Sequence, residues 1–170
     1  MKSIVILASG SGTLAQAIFD AVESRTLNCT VAGLICDRTD APVIFRAQSH
    51  QVPVHLHPML ADRGQWNRDL FTLLTSLNAD LIVSAGFMRI LDSSITSHFP
   101  IINSHPSLLP LFPGAHAVRD ALESGTSRTG TTIHWVDTGV DTGEIIAQQS
   151  LDITGWQCGT QVRGDLPREC

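Results

Sequence analysis

Asn103 and His105 stand two residues apart in "IINSHPSLLP", directly after an apolar run that ends at Ile102. An extended chain points residues two apart to the same side, so the amide and the imidazole can face one pocket. A carboxamide N–H can donate to an oxygen on which negative charge develops. An imidazole can donate to the same oxygen or move a proton. Asp141, in the glycine-rich "DTGVDTGE", supplies a carboxylate, which beside an imidazole favours its charged, proton-donating form. This set suits acyl transfer through a tetrahedral intermediate in which the nucleophile belongs to the substrate. Ser104 and Ser107 are nearby hydroxyls, but neither lies in a G-x-S-x-G elbow, which disfavours a hydrolase triad. The spacing alone equally admits a plainer reading: Asn103 and His105 satisfy loop backbone, and Asp141 is a turn residue.

A second constellation is "SGSGT", residues 9–13. Glycines between a strand and a helix let backbone N–H groups approach an anion, and the helix N-terminus favours negative charge. Gly10, Gly12 and Ala15 satisfy G-x-G-x-x-A, the dinucleotide fingerprint, and Asp37 could be its ribose-binding acid. No GK[ST] follows, so it is not a Walker A loop. The loop does not distinguish a mononucleotide from a dinucleotide, and a tight turn needing glycine for conformation alone is the bland alternative.

These groups must be held by regular elements. "SIVILAS", "TVAGLIC", "VPVH", "ADLIVSAGF" and "PIINSH" read as strands, the first as one buried on both faces. "TLAQAIFDAVES" switches to a helical stripe of Leu14, Ala17, Ile18, Ala21 and Val22, with Thr13 and Gln16 fitting a capping box. "PVIFRAQSH" is a helix with Pro42 at its first position. Residues 62–77 form the clearest helix, with Asp62 as cap and Trp66, Leu70, Leu73, Leu74 and Leu77 on one stripe. "HAVRDALESG" is a helix stopped by Gly125, and "GTTIHWVD" and "EIIAQQSLDI" are later strands. The alternation implies an α/β fold: a Rossmann-like, three-layer, mostly parallel sheet with helices on both faces. Ligands of such sheets bind beyond the carboxyl ends of the strands. The glycine loop, Gly86–Leu91 and Asn103–His105 all lie there.

The chain has 170 residues, 43 % hydrophobic and 16 % charged, enough for one domain with a real core and unlike a disordered chain. A net charge of −5 gives no basic footprint for nucleic acid. No apolar run approaches the ~20 residues that cross a bilayer, and the N-terminus lacks the pattern of a signal peptide. Cys29, Cys36, Cys158 and Cys170 form no CxxC, and reduced thiols in a cytoplasmic protein are the plain reading. Cysteines and histidines lack metal-ligand spacing, so no metal is expected. His55 and His57 read as surface residues. The sequence leaves the oligomeric state open.

"LASGSGT", "SAGFMRIL", "INSHPSLLP", "FPGAHAVRDALESG" and "TGTTIHWVDTGVDTGEIIAQQ" closely resemble the glycinamide ribonucleotide formyltransferase family, over residues 3 to 153. That resemblance implies a formyltransferase fold and the transfer of a formyl group from 10-formyltetrahydrofolate to the amine of glycinamide ribonucleotide, in purine biosynthesis, without a metal. It implies that Asn103 and His105 stabilise the tetrahedral oxyanion, that His105 is the proton donor, and that Asp141 supports its charged form and helps relay the proton through water. It places the nucleotide phosphate on Gly12, Thr13 and Leu14. The family often has Asn at the position of Leu14, so one side-chain contact is lost while backbone donors remain. The folate is expected along Met88, Arg89, Ile90 and Leu91, whose backbone reads the pterin ring, beside Asn103, with Val140 and Asp141 closing over it. Arg63 matches an arginine on the folate side, and His116 a recurring histidine near the site.

The resemblance stops at the end. Family chains continue past the position of Ile153 with a polar turn and a long amphipathic helix, which supplies a glutamine and a glutamate to the substrate side. "TGWQCGTQVRGDLPREC" matches none of it. The expectation is a catalytic domain over 1–153 and an atypical, truncated, poorly ordered tail over 154–170, with activity reduced. Methionyl-tRNA formyltransferase shares the HPSLLP and DTG elements, but length and acidic charge oppose it. A formyltetrahydrofolate hydrolase or a non-catalytic nucleotide-binding module are the remaining alternatives.

Overall fold

β1 (Lys2–Ala8) runs through the middle of the sheet, and its side chains divide between two cores. Ile4, Ile6 and Ala8 face one, Val5 and Leu7 the other, as period-two alternation requires. The structure is a computed structural model and describes residues 1–156. The remainder of the expected tail lies outside the described residues.

Among the described residues, seven strands form one sheet in the order β3-β2-β1-β4-β5-β6-β7. The other strands are β2 (Cys29–Cys36), β3 (Val54–Leu56), β4 (Leu81–Ser84), β5 (Ile101–His105), β6 (Arg128–Trp135) and β7 (Ile145–Asp152). β1 to β5 are parallel, while β6 and β7 pair antiparallel. α1 (Thr13–Glu23) and α2 (Val43–Ser49) cover one face through Ala15, Phe19, Val43 and Ala47. α3 (Arg63–Leu77) and the short α4 (Ser93–Thr96) cover the other through Trp66, Leu70, Leu74 and Ile95. α5 (Ala117–Glu123) buries Ala117 and Ala121. The expected three-layer α/β architecture is present. Each of these buried Leu, Ile and Phe side chains contributes roughly 1.5–3 kcal/mol by leaving water.

Helix ends show where local signals won and lost. Asp62 caps α3 as expected, accepting from Gln65 N–H at 3.1 Å, and Asn78 closes the helix in the left-handed region with φ 45°. The capping box at α1 does not form. Gly12, at φ 72°, is the N-cap and no side chain caps the first turn. The Gln16 side chain instead meets Asp20 at 2.7 Å and His50 at 2.7 Å, because α2 packs alongside and offers partners that a lone helix lacks. Pro42 sits one position earlier than expected, at the N-cap of α2. α4 has a cap of its own, Asp92 accepting from Ser94 N–H at 2.9 Å, in a stretch with no helical stripe.

Candidate active site

β5 ends at His105, and its parallel neighbour β4 ends beside it, Ser84 pairing with Asn103. On its other side β5 meets β6, with Asn103 opposite His134 and His105 opposite Thr132. Residues 103 and 105 therefore share a face with His134, and Asp141 arrives from the β6–β7 connection. One carboxylate oxygen of Asp141 lies 3.3 Å from His105 Nδ1 and accepts from Gly114 N–H at 2.8 Å. The other accepts from Asn103 Nδ2 at 3.3 Å and lies 3.5 Å from His134 Nε2. Amide, imidazole and carboxylate meet, as expected.

The second histidine, His134, was not legible in the sequence. Its Nδ1 donates to the Trp135 carbonyl at 2.9 Å, which leaves Nε2 to accept from Asn103 Nδ2 at 3.2 Å. The Asn103 amide is thereby held between His134 and Asp141. His105 is 4 % exposed, and its Nε2 donates to the Phe112 carbonyl at 2.8 Å. The other ring nitrogen, Nδ1, faces the Asp141 carboxylate. The rim is a cleft of about 310 Å³ lined by Leu109, Pro110, Pro113, Val140, Asp141 and Thr142 among others. Val140 is half exposed on it.

The loop carrying Asp141 explains its own composition. Asp137 accepts from Gly139 N–H at 3.0 Å and from the Thr142 hydroxyl at 2.8 Å, folding the turn on itself. A Cβ at Gly143 would collide with the Trp135 carbonyl oxygen, and one at Gly139 with the Thr142 hydroxyl. Asp141 itself has φ 55°, a region an L-residue enters at a cost of order 1 kcal/mol and which recurs at functional sites.

The glycine loop lies at the same end of the sheet. Gly12 is needed twice: its φ is 72°, and a Cβ there would run into the Val43 side chain. Thr13 is exposed and Leu14 half-buried. With no side-chain cap, the first N–H groups of α1 are free to meet an anion. Ser9 ties this loop to Gly86–Leu91, its N–H donating to the Gly86 carbonyl at 3.1 Å and its hydroxyl accepting from Met88 N–H at 2.9 Å. Met88 and Ile90 display their side chains, while Leu91 is buried. Arg63 stacks on Trp66 at 4.3 Å and donates to the Ile90 carbonyl. The Arg89 guanidinium is turned back onto Asp37 at 2.5 Å, so that aspartate is engaged rather than free for a ribose.

Other candidates fall away from this cluster. Ser107 is fully buried and donates to the Leu111 carbonyl at 2.5 Å. His57 is structural: Trp66 Nε1–H donates to its carbonyl at 3.2 Å, and its ring lies against Trp66 with centroids 4.8 Å apart. His116 is exposed at the start of α5. Cys29 and Cys36 are buried and form no disulfide among the described residues, and burial pushes both thiols above their ordinary value. No described helix is long and apolar enough to cross a membrane.

The sequence model of the family described as formyl transferase matches residues 2–162. The Bacillus subtilis protein named phosphoribosylglycinamide formyltransferase is 35 % identical over 157 residues, covering 90 % of this chain and 80 % of its own. Its Escherichia coli namesake is 36 % identical over 157 residues, covering 89 % and 73 %. Among solved structures, glycinamide ribonucleotide transformylase 1 from Geobacillus kaustophilus superposes with a TM-score of 0.87 at 40 % identity, covering 91 % of this chain and 85 % of that one. Agreement of this kind in sequence and in fold, across nearly all the described residues, places the chain in the formyl transferase family.

Proposed function

We propose that this chain transfers a formyl group from 10-formyltetrahydrofolate to the amine of glycinamide ribonucleotide, in the cytoplasm, with Asn103, His105 and Asp141 as the catalytic residues. The observation that carries the reading is the meeting of Asn103 and His105 on the two oxygens of Asp141, at 3.3 Å each. In the reaction the amine nitrogen bonds to the formyl carbon, and the bond from that carbon to the folate nitrogen breaks. The proton leaving the amine ends on the folate nitrogen.

Negative charge gathers on the formyl oxygen between these events. The Asn103 amide, oriented by His134 and Asp141, donates to it. His105 donates from Nε2 by exchanging the Phe112 carbonyl for the substrate oxygen, while Asp141 stays on Nδ1 and stabilises the charged ring. Preorganised donors of this type, each contributing about 3 kcal/mol, suit an acyl transfer that needs no protein nucleophile and no metal.

Gly12, Thr13 and Leu14 present the first N–H groups of α1 to the ribonucleotide phosphate. The formyl donor lies along Met88–Leu91, where Arg63 fixes the Ile90 carbonyl, and Val140, half exposed on the cleft beside Asp141, closes over it. Among the described residues, the main-chain groups of Arg89 and Leu91 take no protein partner, which leaves them to pair with a planar heterocycle. The test is direct: purified protein with both substrates should yield formylated ribonucleotide by mass spectrometry. Consumption of the folate by water alone, with no product on the amine, would instead indicate a hydrolase.

A further inference from the structure

We infer that Asp37, a buried carboxylate with no part in the reaction chemistry, positions the segment that receives the formyl donor by holding Arg89. The inference rests on reading Met88–Leu91 as the donor-facing segment. Asp37 follows β2 and Arg89 follows β4, and β1 lies between those strands. A bond from one to the other therefore spans the carboxyl end of β1, where the glycine loop begins. The Asp37 Oδ2 to Arg89 Nε distance is 2.5 Å, with the two side chains 1 % and 36 % exposed. Asp37 Oδ1 is buried without a hydrogen-bond partner among the described residues, so there Arg89 is the one side chain that hydrogen-bonds this carboxylate.

The pair works with Ser9 beneath it. Ser9 binds the Gly86 carbonyl and the Met88 N–H, and Arg63 holds Ile90 from the far side. Gly86, at φ 77°, starts a segment with no regular structure, so these contacts must supply its shape. Met88 and Ile90 are each 63 % exposed, whereas the Arg89 side chain, 36 % exposed, reaches across to the buried Asp37. The Arg89 Nε is committed to Asp37, so the side chain ties its own segment to the end of β2. A buried charge with a single partner is costly to leave unpaired, which makes the anchor strong and sensitive to either residue.

Asp37→Asn keeps the shape and removes the charge. In purified protein, the KM for 10-formyltetrahydrofolate should rise about tenfold, the size expected for losing a charge-assisted bond, with the KM for glycinamide ribonucleotide unchanged. Arg89→Met should give the same loss, the double variant no more than either, and Arg89→Lys should recover part of the affinity. An unchanged donor KM in Asp37→Asn, with wild-type turnover present, would overturn the inference. So would a rise in both KM values together with a lower melting temperature, which marks a purely structural pair. Wild-type protein that binds no folate by fluorescence titration would overturn the functional reading itself.

Discussion

Asp141 Oδ2 lies 3.3 Å from His105 Nδ1, although one residue ends a sheet strand and the other sits in a turn between two later strands. The distance exists because β6 pairs antiparallel to β5 and the turn after it folds back over the same edge. The carboxylate is fixed from both sides, by Gly114 N–H at 2.8 Å and by the Asn103 amide. It is therefore a built group, and its removal disturbs two donors at once.

That sharing predicts non-additivity. His105→Ala and Asp141→Asn should each lower kcat by about a hundredfold or more, and the double variant should lose little beyond the worse single one, since the residues act as a unit. Steady-state kinetics on the three variants checks this. Multiplicative losses would mean that the residues act separately.

His134 should matter through Asn103. His134→Ala removes the acceptor that orients the amide and should lower kcat about tenfold, the effect of one misplaced hydrogen bond. His134→Gln, which can still accept from the amide, should recover part of that. A double-mutant cycle with Asn103→Ala isolates the coupling, and zero coupling energy would remove His134 from the account.

Gly12 and Gly10 should behave differently. Gly12→Ala must take a positive φ and displace Val43, lowering stability by about 1–2 kcal/mol and raising the KM for the ribonucleotide. Gly10→Ala meets nothing within 4 Å and should be mild. Urea denaturation midpoints for the pair distinguish local backbone strain from a general intolerance of the loop.

Acid stability is set in part by surface carboxylates. The Lys2 ammonium holds the Asp80 carboxyl below its ordinary range, and the Ser94 N–H does the same for the capping Asp92. A carboxylate with a lowered folded-state pKa stabilises fully above its unfolded value of about 3.9, and that stability disappears as pH falls through the folded value. The melting temperature should therefore drop on acidification below about pH 4, and Asp80→Asn and Asp92→Asn should each flatten that drop. Identical acid profiles for variants and wild type would contradict it.

Much of this was readable from pattern, and the reasons are local. The stripe of Trp66, Leu70 and Leu74 behind an Asp62 cap names α3 without help from the rest of the chain. The apolar run ending in Asn103 and His105 likewise marks a strand tip. Contacts that depend on pairing were not readable. His134 reaches Asn103 only in one antiparallel register, which period-two patterning in β6 cannot select. The Phe112 carbonyl and Gly114 N–H are main-chain groups, which side-chain pattern does not single out. At α1 the Thr13–Gln16 spacing fits a capping box, yet His50 and Asp20 took the glutamine, a tertiary competition invisible in a short window.

The claim at the centre is that Asn103, His105 and Asp141 act on one carbonyl carried by a bound folate. The most direct measurement is formyl transfer and folate affinity, determined together, for wild type and for Asn103→Ala, His105→Ala and Asp141→Asn. The account predicts transfer by the wild type, with each variant binding the folate yet losing at least about a hundredfold in kcat. Variants that turn over like the wild type while folded and folate-bound would contradict it.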